Sequence, residues 1–182
     1  MKRLSLLSII LIFLSCSNDD NDSLKPNGQL SFNEQSFALN YAYKIEFDFT
    51  TEDIRGFEII LTDQPITFEN SQLNLSLETK VLLRMILLTS ESESELLENI
   101  YPLNQDNFNL ADFEARLSGA SLFFLRADND ELVTDSSNLI WDTGSVEIIG
   151  STNPYDLSLE LSTEEIELIT SYTGEIITAE YE

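Results

Sequence analysis

The chain has 182 residues, 33 of them acidic and nine basic, with no histidine, one cysteine and a formal net charge of -24. A surface this negative repels phosphate backbones, and no lysine or arginine cluster in the sequence reverses the field locally, which excludes nucleic acid as a partner. Without histidine there is no His-based triad, no His-rich zinc site and no imidazole base, while 42% hydrophobic residues and eleven phenylalanines supply one sizeable core.

The first segment reads as an address. Lys2 and Arg3 precede an apolar run over residues 4–14, long enough for the core of an export signal and too short to cross a bilayer as a helix. Ser15 and Cys16 follow, and an exported chain with one thiol has no disulfide partner for it. Leu14-Ser15-Cys16 resembles a bacterial lipobox, which implies cleavage before Cys16 and acylation of its sulfur. Two or three acyl chains, at about 0.8 kcal/mol per buried methylene, anchor stably where one is marginal. Cleavage there takes away Lys2 and Arg3 and no acid, moving the net charge from -24 to -26. Residues 17–28 have little to bury and contain Pro26 and Gly28, so they form a flexible acidic tether. The expected division is a signal peptide over 1–15, the lipidated cysteine and tether over 16–28, and one β-sandwich domain over 29–182.

From Phe37 the odd positions run Phe37, Leu39, Tyr41, Tyr43, Ile45, Phe47 and Phe49, with mostly polar residues between. Strict alternation buries one face and wets the other, as antiparallel strands do; the run is long, so a bulge or bend divides it. Tyr41 and Tyr43 share its apolar face and belong to the core. The pattern returns at Phe57, Ile59 and Leu61, at Leu73, Leu75 and Leu77, and from Tyr155 to Leu161. Polar turns at Asn33-Glu34, Asp63-Gln64-Pro65, Asp128-Asn129-Asp130, Asp142-Thr143-Gly144 and Asn153-Pro154 cut the chain into hairpin lengths. Residues 81–88 and 122–125 are apolar on both faces, which places them in central strands packed from both sides or covered by a loop, and Arg84 then needs a carboxylate partner or an exit to solvent. Two short helices are expected at most. One covers 92–100, where Ser92 and Glu95 mimic a capping box, and one covers 109–118, with Leu110, Phe113 and Leu117 spaced for one helix face. The fold class is all-β, an antiparallel β-sandwich.

Little catalytic chemistry is left. Cys16 is taken by the lipid, glycine-rich phosphate loops are missing, and no spacing singles out two of the 33 acids as a glycosidase pair. No catalytic residue and no cofactor are expected. Asp128, Asn129, Asp130 and Glu131, followed by Asp135 and Asn138, offer oxygens to a calcium ion, but the EF-hand template fails at Val133 and Leu139, so the loop is a polar turn and no metal is assigned. Trp141, beside Asp142 and Gly144, is the candidate ligand contact as a carbohydrate platform, weighed against core packing after Leu139-Ile140.

Ser17-Asn18-Asp19-Asp20 after the cysteine resembles the acidic export signal of surface lipoproteins of the Bacteroidetes. With it, Leu30-Ser31-Phe32-Asn33-Glu34, Gly56-Phe57 leading to Leu61-Thr62-Asp63, Tyr155-Asp156-Leu157-Ser158-Leu159 and Tyr172-Thr173-Gly174 resemble small uncharacterised members of that group. Ile100 departs from their pattern, which has glycine before Tyr101. The resemblance implies an outward-facing outer-membrane lipoprotein with a β-sandwich and carries no activity over. The expected role is a non-catalytic binding or scaffold module, held to the membrane by lipid, with a glycan or a protein as partner. The rivals are a glycan-binding accessory protein of a nutrient-uptake system and a carboxylate-dependent hydrolase.

Overall fold

Alternating polar and apolar residues become strands wherever a second layer buries the apolar face. A computed structural model describes residues 27–48, 54–69, 72–90, 96, 98–103, 115–137, 139–150 and 152–180, and the regular elements among these are all strands. In chain order they are β1 (Gly28–Phe32), β2 (Gln35–Leu39), β3 (Tyr41–Asp48), β4 (Ile54–Thr62), β5 (Thr67–Glu69), β6 (Gln72–Asn74), β7 (Val81–Ser90), β8 (Asn99–Pro102), β9 (Arg116–Asp128), β10 (Glu131–Ser137), β11 (Thr143–Ile149), β12 (Tyr155–Ser162), β13 (Glu167–Gly174) and β14 (Ile176–Ala179). The first sheet has the order β2-β1-β13-β12-β11-β8, the second β10-β9-β7-β4-β3-β14, and β5-β6 stands apart as a hairpin. Strand pairing is antiparallel throughout the two sheets except where β14 lies parallel to β3. The fold is all-β and sandwich-like, as the alternation predicts.

The two sheets cross steeply. β8 and β2 are opposite edges of the first sheet, five strand spacings or roughly 24 Å apart. At one end of β9, Leu117 bridges Leu103 beyond β8. Seven residues on, roughly 23 Å along an extended chain, the Phe124 ring stands 5.3 Å from Phe32 of β1 and 5.1 Å from Phe37 of β2. β9 therefore runs across the strands of the first sheet, in the manner of an orthogonal sandwich.

Between the sheets lies the central core, which includes Leu30, Leu39, Phe57, Ile59, Leu61, Leu83, Met85, Leu87, Tyr101, Trp141, Leu157 and Leu159. A second cluster occupies the far face of the second sheet: Tyr43, Ile45, Ile60, Ile66, Leu82 and Leu125, with Phe68, Leu73 and Leu75 of the β5-β6 segment packed against them. This explains why β7 is apolar on both faces and shows that β4 is too, although its sequence reads as simple alternation. The cover is fastened at its base. Asp63 Oδ1 accepts the backbone N–H groups of Lys80 at 3.0 Å and Val81 at 3.2 Å, Thr62 Oγ1 donates to the Val81 carbonyl at 3.1 Å, and Ile66 N–H donates to Tyr43 Oη at 3.1 Å. Arg84, on the same far face, pairs with Glu58, which is the carboxylate its position demands.

The long alternating run from Phe37 divides at Asn40, and the division is a change of sheet. β2 ends the first sheet, while β3 enters the second, so Leu39 faces the central core while Tyr43 and Ile45 face the second cluster. Side-chain amides hold this corner. Asn27 Nδ2 donates to the Asn40 carbonyl at 2.8 Å, and Asn40 Nδ2 donates to the Asp63 carbonyl at 2.9 Å. Nearby, where β13 passes into β14, Asn153 Oδ1 accepts from Ile176 N–H at 2.8 Å and the Tyr172 hydroxyl donates to the Glu175 carbonyl at 2.9 Å.

Two hairpins follow their turn signals closely. Asn33-Glu34 joins β1 to β2 and Asn129-Asp130 joins β9 to β10, each a two-residue loop with both residues at positive φ, the twist that matches paired strands. The helical expectations differ from the structure where it describes them. Residues 99 and 100 belong to β8 and 116–118 to β9; 92–95, 97 and 109–114 lie outside the described residues. Leu117 is fully buried opposite Leu87 while Ser118 is exposed, so a period of two wins over the spacing of Leu110, Phe113 and Leu117.

Two buried threonines provide a test of the polar accounting. Thr62 uses its hydroxyl as described; Thr170, facing the central core, has no partner for its own among the described residues. An unmatched buried hydroxyl costs about 1–3 kcal/mol, whereas a satisfied one contributes about 1 kcal/mol. Thr170→Val should leave the urea unfolding midpoint unchanged or raise it, and Thr62→Val should lower stability by about 1 kcal/mol; the reverse order would refute the assignment.

The Tyr172 phenol is 2% exposed, and burial, with the nearby Glu175 and Tyr43 adding to it, pushes its pKa above the ordinary value of 10.0. A raised folded-state pKa means that the folded chain keeps a proton that the unfolded chain releases. Its contribution is thus complete below pH 10 and is lost as pH rises from there through the folded pKa. Tyr172→Phe should cost about 1 kcal/mol at pH 7 through the lost hydrogen bond and should flatten the decline of stability measured between about pH 10 and 12.

Candidate functional site

The second sheet is covered on one face by the first sheet and over part of the other by the β5-β6 segment, beyond which Ile86 of β7 is 40% exposed; the first sheet turns its other face to solvent. Along β12 and β13 buried and exposed residues alternate without a break. Inward go Tyr155, Leu157, Leu159, Leu161, Leu168, Thr170 and Tyr172, and outward go Asp156, Ser158, Glu160, Ile169, Ser171 and Thr173. β11 adds Glu147 and Ile149 to the outer face and β8 adds Ile100 and Pro102.

Register decides how these outward residues meet. Ile100 stands directly across from Glu147, Ile149 from Asp156, and Ile169 from Glu160. On its other side each acid faces a small hydroxyl residue: Ser158 beside Glu147, Thr173 beside Asp156, Ser145 beside Glu160. The isoleucines are 57%, 50% and 43% exposed. None of the three acids forms an ion pair among the described residues. The basic side chains of the described residues are elsewhere: Lys44 on β3, Arg55 on β4, Lys80 just before β7, Arg84 on β7, and Arg116 and Arg126 on β9. The strands of the first sheet carry no lysine or arginine, so the sandwich is electrically two-sided.

Among the described residues one shallow cleft borders this face and another lies by the second sheet. One, of about 350 Å³, lies between the β1-β2 and β12-β13 turns and is lined by Ser31, Asn33, Glu34, Glu165 and Glu167. It gathers three carboxylates, but all three are exposed. Acid catalysis by a carboxyl relies on a group withdrawn from water; Phe32 and Ile169 also line this cleft, yet its glutamates stay exposed. The other, of about 440 Å³, is lined by Gln64, Leu77, Glu78, Lys80 and Arg126 at the end of β9. Its charges are mixed, and Arg126 stands 3.6 Å from Asp128.

Of the residues singled out by sequence, Cys16 lies outside the described residues. Trp141 is 3% exposed, packs in the central core, and donates its indole N–H to the Ala120 carbonyl at 3.1 Å. An indole so placed presents no face to a sugar, and core packing is the alternative its burial fits. Asp128 to Glu131 form the exposed tip of the β9-β10 hairpin, Asp135 lies along β10 across from Phe124, and Asn138 is outside the described residues. Among the described residues no three or more carboxylate, thiol or imidazole groups converge as metal ligands.

Sequence reasoning missed the outward isoleucines. The signal was present as doublets, Ile148-Ile149 and Leu168-Ile169, in which a second apolar residue breaks an otherwise regular alternation, and in the absence of any lysine or arginine after Arg126. Comparison of the chain with protein-family models, with curated proteins and with solved structures finds no match.

As the sole tryptophan, Trp141 reports its own environment. Its fluorescence should be blue-shifted and resistant to iodide quenching in the folded protein, and Trp141→Ala should cost about 3–5 kcal/mol of stability. A red-shifted, readily quenched spectrum would restore it as a surface residue.

Proposed function

We propose that the chain is a lipid-anchored, outward-facing outer-membrane lipoprotein whose sandwich binds or scaffolds a partner and does not catalyse. The observation that carries this reading is the uncovered outer face of the first sheet. A sheet face that serves only solubility needs polar residues alone; this one exposes three large isoleucines in register with three carboxylates. Exposed apolar side chains grouped on one face are a mark of contact surfaces.

The anchoring half rests on the sequence. The charged start, the apolar run over 4–14 and the lone Cys16 support acylation, and residues 17–28 supply reach between membrane and fold. The resemblance to surface lipoproteins of the Bacteroidetes supports the outward location. Glycan binding within a nutrient-uptake system is the weaker alternative, since the burial of Trp141 removes its stacking platform; a carboxylate hydrolase is weaker still, since the three glutamates gathered in one cleft are solvent-exposed.

Anchoring is tested by fractionation. The wild-type chain should stay with the outer-membrane fraction through a high-salt wash and be removed from intact cells by added protease, and Cys16→Ala should move it to the soluble fraction. Retention of the alanine variant in the membrane at wild-type abundance would overturn the lipid anchor.

A further inference from the structure

From the outer face of the first sheet we infer a docking surface for a basic protein segment, read through three isoleucine–carboxylate pairs. The inference rests on the binding role proposed above and names its partner. The pairs step across four adjacent strands: Ile100 of β8 with Glu147 of β11, Ile149 of β11 with Asp156 of β12, and Glu160 of β12 with Ile169 of β13.

Directly opposed residues of an antiparallel pair stand close enough for their side chains to touch, and a carboxylate in such a position is stabilised by a cation across from it. Here each carboxylate meets an aliphatic side chain instead. An isoleucine beside a carboxylate matches the two parts of lysine and arginine, an apolar stem and a charged head. The stem covers the isoleucine and the head reaches the acid. Ser158, Thr173 and Ser145 on the other flank of the acids are short, so nothing long on that side screens the carboxylates from an arriving cation.

Other occupants fit less well. A second copy of the chain would bring the same acids, and Arg55, Arg84 and Arg126 are already engaged with Glu46, Glu58 and Asp128. A nucleic acid is repelled by the field. A neutral glycan is gripped by exposed aromatic rings, and no described outward position of the first sheet is aromatic: Tyr101, Tyr155 and Tyr172 all point into the core. Charge complementarity and the apolar component together select a protein rich in lysine or arginine.

The test is the binding of nona-arginine, with dextran as the neutral glycan probe, to the purified full chain and to three triple variants. Glu147→Gln with Asp156→Asn and Glu160→Gln removes the carboxylates. Ile100→Ser with Ile149→Ser and Ile169→Ser removes the apolar partners at constant charge. Asp130→Asn with Glu131→Gln and Glu164→Gln makes the same change of charge at exposed positions at or beside hairpin turns, outside the three pairs. Thermal unfolding of each variant checks that the fold is kept. At about 0.15 M salt, where distant charges are screened, the first two variants should bind nona-arginine roughly tenfold more weakly and the third within about twofold of wild type. Equal weakening by the first and third variants would reduce the effect to net charge and overturn the inference. So would wild-type binding by the isoleucine variant, or dextran binding that the isoleucine variant abolishes. These outcomes leave the membrane-anchored binding role standing, because that role fails separately, on the fractionation of the Cys16→Ala variant.

Discussion

The structure depends on the middle of the second sheet being buried on both faces. β4 and β7 lie at its middle, are buried at most positions and carry large apolar side chains on both faces, so a two-layer arrangement would leave one apolar face open. The chain answers with a segment between the same two strands: it leaves β4, folds β5 and β6 down over Ile60 and Leu82, and returns into β7. Asp63 makes that return possible. Its buried carboxylate receives the N–H groups of Lys80 and Val81 just where the chain re-enters the ladder, so backbone donors that would otherwise be buried without partners are satisfied. With the middle of one sheet closed in this way, the outer face of the other meets water along β11, β12 and β13.

Chain crossings between the sheets impose the second constraint. Each time the backbone leaves one ladder for the other it strands N–H and C=O groups, and asparagine, with a donor and an acceptor on a short side chain, replaces them. Asn40 does so between β2 and β3, and Asn153 does so for the start of β14. Tyr172 closes the same corner from within the core by donating to the Glu175 carbonyl. These are local polar contacts with one purpose: they let a period-two sequence change the core that it faces without losing its hydrogen bonds.

Where one face of a strand is buried and the other wet, the sequence was legible. β12 matches its alternation residue by residue, and the Asn33-Glu34 and Asn129-Asp130 hairpins sit where turn chemistry puts them. Legibility failed where burial depends on distant segments. Nothing local in Ile54 to Thr62 tells that a later hairpin will cover the even positions, and nothing local in residues 37–47 tells that the odd positions serve two different cores. The helical reading of residues 116–118 failed for the same reason: Leu117 fits either period, and pairing with β7 settles it. Of the candidate surface, the composition was readable and the geometry was not. Ile100, Ile149 and Ile169 are scattered through the sequence, and only cross-strand register sets each opposite an acid.

Register also accounts for the electrical asymmetry. Lysine and arginine are few, and those described fall on the second sheet or beside it, where Arg55, Arg84 and Arg126 are held by local carboxylates. The first sheet is built largely from the chain after Arg126, which has acids and no base. A net negative charge spread evenly would do no more than keep such a surface soluble. Gathered on one face with isoleucines between, as the proposed docking surface has it, it would set a direction: a cationic partner would be drawn from a distance toward the first sheet, and the apolar contacts would act only on arrival. Steering and short-range fit would then reside on the same side of the molecule.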